Sequence, residues 1–213
     1  MKYSTVIVAA GKGTRTNLGY NKLFYEMHGE MMISKTVSVF VNDPDCEEII
    51  MVTSLDDRQM FARILSSDKI TYTKGGSTRQ DSVFKGLEIV KSEYVMIHDG
   101  ARPYIDKKEI AELKRILQED DACLLAVAVV DTIKIVKDGY IEYSPERSTC
   151  YSAQTPQCFK TSLIIDCHKK AKKEGFVASD DAQLVEVYGG SIQVKLVLGD
   201  YANKKITTKE DLI

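Results

Sequence analysis

The first chemistry the chain offers lies between Tyr3 and Leu23. A short apolar strand runs into Ala9-Ala10-Gly11-Lys12-Gly13-Thr14-Arg15, and Asn21-Lys22-Leu23-Phe24 follows. A buried strand that stops at a glycine-rich bend exposes a row of backbone N–H groups, and glycines at 11 and 13 let an anion approach them with no side chain in the way. Arg15 and Lys22 add full positive charge at the same rim. This is phosphate-handling chemistry. A Walker loop would need Gly, four residues, then Gly-Lys-Ser/Thr, and a dinucleotide fingerprint would need a third glycine where Thr16 stands. Neither spacing is met.

The elements that must position these residues alternate with little spare chain. Glu48 to Thr53, Ile70 to Thr73, Tyr94 to His98 and Cys123 to Val130 read as strands. Helical spacing is predicted over Asp56–Leu65, Arg79–Val90, Lys107–Leu117, Leu163–Glu174 and Asp180–Tyr188. A further strand is expected over Gln193–Leu198, and a capped helix from Thr207. The alternation implies an α/β sandwich around a mainly parallel sheet. Ligands bind such sheets at the carboxyl ends of the strands, and the polar motifs fall there: Gly11 to Arg15, Gly75 to Ser82, and Asp99 to Pro103. From Asp131 to Gln157 the pattern changes to short alternating strands around Asp138-Gly139, an excursion from the main sheet. It carries Ile133, Ile135, Tyr140 and Ile141, more apolar strand than a monomer should leave in water, so a homodimer is expected.

At 213 residues with 44% hydrophobic content the chain suits one domain, residues 1–213, with no linker dividing it. A formal charge of -2 excludes the broad basic surface that nucleic-acid binding requires. No apolar run reaches the ~18 residues of a membrane span, and the start at Met1-Lys2-Tyr3-Ser4 suggests a cytoplasmic protein. The five cysteines form no Cys-x-x-Cys and read as packing thiols, and the three histidines are too scattered for a metal cage. Any metal would use oxygen ligands.

Ala-Ala-Gly-x-Gly-x-Arg with a lysine seven residues beyond the arginine resembles the nucleotidyltransferases that load sugar and alditol phosphates. Further blocks narrow the resemblance: Gly75-Gly76-Ser77-Thr78-Arg79-Gln80-Asp81-Ser82-Val83, His98-Asp99-Gly100-Ala101-Arg102-Pro103, Asp131-Thr132-Ile133-Lys134, Gln154-Thr155-Pro156-Gln157, Asp180-Asp181-Ala182 and Asn203-Lys204-Lys205-Ile206-Thr207-Thr208. Over nearly its full length the chain resembles the 2-C-methyl-D-erythritol 4-phosphate cytidylyltransferases of the non-mevalonate isoprenoid pathway. It departs from them at Asn21 (often proline), Thr16 (often methionine), Lys204 (mostly isoleucine) and in a shorter final helix. The rival resemblance is to the ribitol 5-phosphate cytidylyltransferases of wall teichoic acid synthesis. Gly100-Ala101 and Asp180-Asp181-Ala182 favour the erythritol family. A different class, a nucleotide-binding protein without turnover, is opposed by the charged residues at 15, 22 and 205.

The resemblance implies a Rossmann-like nucleotidyltransferase sandwich with a protruding β-arm, residues 131–157, for dimerisation. It implies CTP and methylerythritol phosphate as substrates, with Mg²⁺ as cofactor. Because a phosphate monoester has a second pKa near ~6, the nucleophile is already a dianion at neutral pH and no side chain need remove a proton. The resemblance gives Arg15, Lys22 and Lys205 the catalytic roles. Strand alternation and the family pattern both choose Lys205 over Lys204. Ala9, Ala10, Gly11, Gly13, Gly75, Gly76, Arg79 and Ser82 would hold the nucleotide, with the Gly75–Ser82 segment reading cytosine and Ser82 offering it a hydroxyl. Asp99, Arg102, Thr132, Arg147, Thr155 and Ser179 would hold the acceptor, Thr132 and Arg147 in the partner's site. Asp99 could also serve Mg²⁺ through water.

Overall fold

The computed structural model describes residues 1–11, 13, 16 and 18–212. In chain order these form β1 (Tyr3–Ala9), β2 (Glu26–Met27), β3 (Glu30–Met31), α1 (Met32–Val41), β4 (Cys46–Thr53), α2 (Arg58–Ile64), β5 (Ile70–Lys74), α3 (Arg79–Leu87), β6 (Tyr94–Asp99) and α4 (Lys107–Ile116). The remainder forms β7 (Ala122–Ala128), β8 (Ile135–Lys137), β9 (Tyr140–Tyr143), β10 (Tyr151–Lys160), α5 (Thr161–Glu174), α6 (Asp181–Tyr188) and β11 (Lys195–Leu198).

The central sheet is seven-stranded in the order β11-β7-β10-β6-β1-β4-β5. Its pairings are parallel except at β10, which runs antiparallel to both β6 and β7. The alternation of β1 shows how the sequence builds a two-faced sheet. Tyr3, Ile7 and Ala9 enter the core shared with Met32, Ile33, Val37 and Phe40 of α1, Phe61 of α2, and Ile110 and Leu113 of α4. Val6, between them, faces the other core with Val83 and Leu87 of α3, Ile164 of α5 and Leu184 of α6. Both faces are therefore covered, which is why the inner strands read as nearly continuous apolar runs. On the second face the helix packs closely: a Cβ at Gly86 would lie 2.5 Å from Val6 Cγ1.

The expected strands and helices are present, most with ends shifted by a few residues. Three expectations need correction. No helix is predicted between Phe24 and Glu48, yet α1 occupies Met32–Val41. Residues 151–157, counted with the excursion, belong to β10 in the middle of the main sheet, so the independent hairpin is β8–β9. The helix expected from Thr207 is a single 3-10 turn at Glu210–Leu212, because the Asp211 carboxylate takes up the N–H groups of Thr207 and Thr208 at 2.8 and 2.9 Å. Within the hairpin, Tyr140 and Ile141 are exposed at 81% and 65%, whereas Ile133 and Ile135 are half-buried.

Candidate functional site

β1 and β6 run parallel with Val8 opposite Asp99, so the segments following both strands open at the same sheet edge. Between them and the loop after β5 lies a cleft of about 400 Å³. Ala9, Ala10, Gly11, Gly13, Lys22, Gly76, Arg79, Ser82, Asp99 and Lys205 all line it. The arginine expected beside them, Arg15, lies outside the described residues.

Two glycines set the shape. Gly13 has φ +63°, and a Cβ there would meet Lys22 Cγ at 3.2 Å, so the bend can fold onto the lysine stem. Gly75 does not line the cleft but lets its walls meet: a Cβ would stand 2.5 Å from that of Ala10. Asn21 caps the 3-10 turn Lys22–Phe24 by accepting from Leu23 N–H, and it donates to Asp57 at 2.9 Å. The departure from proline thus supplies two bonds that a proline could not make. Thr16 is buried and donates to the Gly13 carbonyl at 2.7 Å.

The cations of the cleft converge on one carboxylate. Lys205 Nζ is 2.7 Å from Asp99 Oδ2, Arg79 Nε is 3.4 Å from Oδ1, and Arg102 Nε is 3.9 Å from Oδ2. Burial alone would raise the Asp99 pKa, but Arg79, Lys205 and Arg102 outweigh it and hold the carboxyl well below the usual range. Asp99 is therefore ionised at neutral pH. Arg79 is also anchored from behind, with Nη2 2.9 Å from the buried Asp181 Oδ2. Burial opposes the Arg79 charge, but Asp181 and Asp99 more than compensate and raise its pKa. Lys22 is buried, and its ammonium donates to the Ile206 carbonyl at 2.6 Å. Lys205 takes the cleft and Lys204 is exposed, as expected, although this segment is coil rather than strand.

The loop after β5 holds itself. Ser82 donates to Thr78 O at 2.8 Å and accepts from Gly76 N–H at 3.1 Å, so its hydroxyl proton is spent shaping the loop rather than held ready for a base. Thr78 caps α3 through a reciprocal box with Asp81.

The expected acceptor residues scatter. Thr155 is buried and does not line the cleft; its hydroxyl accepts from Asp99 N–H and contacts His98 Nδ1, each at 3.0 Å. Arg102 is buried, bonded to the Asn203 carbonyl at 2.7 Å, with Nε lacking a hydrogen-bond partner. Burial lowers its pKa against the pull of Asp99. Ser179 is exposed and bonded to Gln183. Thr132 and Arg147 are exposed next to the hairpin, with Arg147 reaching only the Val130 carbonyl at 3.3 Å. Sequence reasoning assigned no role to Asp181 or Asn203, though both stand in the quoted motifs; a second carboxylate behind an arginine leaves no spacing signal.

Among the described residues no group of three or more His, Cys, Asp or Glu side chains could cage a metal. Asp99 is the sole carboxylate among the lining residues. Its ionised oxygens suit a hard cation that keeps water and phosphate ligands, as Mg²⁺ does.

Residues 3–213 match the family model for 2-C-methyl-D-erythritol 4-phosphate cytidylyltransferase. The chain belongs to that family. It is 42% identical over 218 residues to the cytidylyltransferase of that name from Geobacillus thermodenitrificans, covering 100% of this chain and 95% of the relative. It is 43% identical to the one from Bacillus licheniformis, covering 100% and 94%. Among solved structures, the 4-diphosphocytidyl-2C-methyl-D-erythritol synthase from Anaerococcus prevotii superposes with a TM-score of 0.90 at 34% identity, covering 99% of this chain and 94% of that one. The Thermus thermophilus cytidylyltransferase superposes at 0.81 with 29% identity, covering 100% and 96%. Membership makes the chain a cytidylyltransferase, a kind of nucleotidyltransferase, and Lys22, Arg79 and Lys205 all line its cleft.

Proposed function

We propose that this chain transfers CMP from CTP to 2-C-methyl-D-erythritol 4-phosphate, with the cleft between the glycine bend, the Gly75–Ser82 loop and Asp99 as the site. An oxygen of the acceptor phosphate attacks the α-phosphorus, a new P–O–P bond forms, and the bond to pyrophosphate breaks. The acceptor arrives as a dianion, so no proton has to be moved. The work left to the protein is placing two polyanions together and stabilising charge as it builds on the α-phosphoryl and leaving groups.

The observation that carries the proposal is the convergence of Lys22, Arg79 and Lys205 on one cleft that Gly11 and Gly13 also line. Lys22 and Lys205 act on the α-phosphoryl oxygens, with Arg15 at the triphosphate. The self-braced loop from Gly75 to Ser82 meets the cytosine edge through its backbone, and a mismatched base leaves buried groups unpaired at about 1–3 kcal/mol each. Mg²⁺ bound to phosphate oxygens and water, with Asp99 as the protein's anionic donor, would supply charge neutralisation between the two substrates. Arg102, buried behind the cleft with Nε 3.9 Å from Asp99 Oδ2, serves the acceptor side through Asp99. Thr155 supports that side indirectly by fixing Asp99.

The working unit is a homodimer, supported by the exposed apolar hairpin. Arg147 and Thr132 then reach the acceptor in the partner's cleft. No described helix is long and apolar enough to cross a membrane, and the substrates are small anions, which accords with a cytoplasmic enzyme.

Pyrophosphate release from CTP tests the proposal, run with methylerythritol phosphate and ribitol phosphate side by side, with and without a chelator of Mg²⁺. Release with methylerythritol phosphate that chelation abolishes is the expected result. Preference for ribitol phosphate would move the chain to the other acceptor class, and no release with either would end the enzymatic proposal.

A further inference from the structure

The segment that carries Lys205 belongs to no sheet ladder. Residues 203–207 are coil, yet Asn203 and Ile206 within it are completely buried. What fastens it is a ring of polar contacts centred on the Asn203 carboxamide. Asn203 Nδ2 donates to the Thr155 carbonyl at 3.0 Å and to Gln154 Oε1 at 3.2 Å, which uses both of its protons. The Asn203 main-chain carbonyl, which any residue at this position keeps, accepts from Arg102 Nη1 at 2.7 Å, and Gln154 donates onward to the Asp200 carbonyl at 2.9 Å.

The ring closes through β6. Thr155 Oγ1 accepts from Asp99 N–H; the Arg102 carbonyl can only accept, so His98 Nε2–H donates to it at 3.2 Å, and the bare Nδ1 of the neutral ring accepts from the Thr155 hydroxyl. Burial keeps this histidine neutral. The Asn203 side chain therefore ties the segment to β10, and its main chain ties it to the turn after β6. Beyond it the chain emerges with Ile206 N–H on the Ala101 carbonyl, Ile206 O on Lys22, and Lys205 on Asp99.

We propose that Asn203 is a positioning residue for the transfer step: it touches no substrate, and it sets the reach of Lys205 into the cleft. This rests on the role given to Lys205 above. Both of its donors meet acceptors, so an alanine would leave the Thr155 carbonyl and Gln154 Oε1 without their partner and release the segment.

The test is a double-substitution cycle of Asn203→Ala and Lys205→Ala, with kcat and the KM for CTP measured for all four proteins. Asn203→Ala is expected to lower kcat by about tenfold or more, with KM moving less than about threefold, and to add little to the loss already caused by Lys205→Ala. A merely structural effect, such as a smaller folded fraction, would multiply the loss in either background. Multiplicative losses, or an Asn203→Ala protein with wild-type kcat, would overturn the proposal. Full activity in Lys205→Ala would instead sink the role of Lys205 itself. If Asn203→Ala does not fold, the cycle is run with Gln154→Ala, which removes one of the two acceptors; a loss that vanishes in the Lys205→Ala background supports the proposal, and a multiplicative one overturns it.

Discussion

The cleft and the β8–β9 hairpin are built on opposite principles. In the cleft, charged groups are buried or half-buried and cross-braced: Arg79 between Asp99 and Asp181, Lys22 on Ile206, Lys205 on Asp99. In the hairpin, Tyr140 and Ile141 stand in water, and Arg147 nearby touches one carbonyl. Buried charges without partners would be prohibitively costly, so the cleft's bracing is the condition for holding its cations ready before a triphosphate arrives. Exposed apolar strand, conversely, has value only when something covers it. On the proposed reading, the nucleotide half of the site is assembled within a single chain and the acceptor half draws on a second one.

The sharpest way to break the first half of this comparison is Lys22→Ala. Turnover should fall by at least about a hundredfold, or ~2.7 kcal/mol of transition-state stabilisation, with the fold retained. Steady-state kinetics together with a circular dichroism melt measure this, and a loss under about tenfold would deny Lys22 its role. Base selection comes next: CTP should exceed UTP by about 10- to 100-fold in kcat/KM, the worth of one or two unpaired buried groups. Equal rates would mean that the Gly75–Ser82 loop does not meet the base.

How much of this was legible in the sequence depended on whether the physics was local. Strands β1, β4, β6 and β7 announced themselves as apolar runs, and the cleft residues stood in spaced motifs at strand ends. Helix α1 was missed because its N-cap position is Met31, which offers no side-chain cap, and the helix is rich in β-branched residues, so neither start signal nor propensity marked it. Strand β10 was misjudged because Pro156, which has no N–H to give a ladder, sits inside it; the pairing with β7 shifts register there, between Ala153 and Gln157. The pairs Arg79–Asp181 and Arg102–Asn203 are separated by about a hundred residues and left no periodic trace. The hydroxyls of Ser82 and Thr155 stand in motifs expected to contact ligands, but only the fold reveals that they bond to Thr78, Gly76, Asp99 and His98.

The second half of the comparison is sharpened by two smaller effects. Ile141→Asp should shift the oligomer toward monomer in sedimentation velocity without unfolding the main sheet, because β8–β9 pairs only with itself. An unchanged dimer would place the contact elsewhere. The bracing of the core should also appear as pH dependence. His98 and His168 are both buried, and desolvation pulls their pKa values from 6.5 down to about 4. Between those values the unfolded chain binds protons that the folded chain refuses. Stability is therefore full above about pH 6.5 and falls with acidification toward pH 4, by up to ~1.4 kcal/mol per pH unit for each group. Asp181, whose pKa burial raises, acts in the opposite sense. Urea unfolding at pH 7 and pH 5 measures the slope, and His98→Gln should flatten it; equal stability at both pH values would contradict the buried, neutral histidines.

The central claim, that the nucleotide half of each site lies in one subunit and Arg147 serves the other, is tested most directly by mixing inactive subunits. Lys22→Ala and Arg147→Ala chains, coexpressed with different tags or refolded together, should form mixed dimers in which one site has both defects and the other has neither. Random reassortment makes half of the dimers mixed, so under two-fold symmetry the activity of the mixture should recover to roughly a quarter of wild type. Purified mixed dimers with no activity above that of the parent variants would place Arg147 in its own subunit's site, or in the interface alone, and would contradict the shared site.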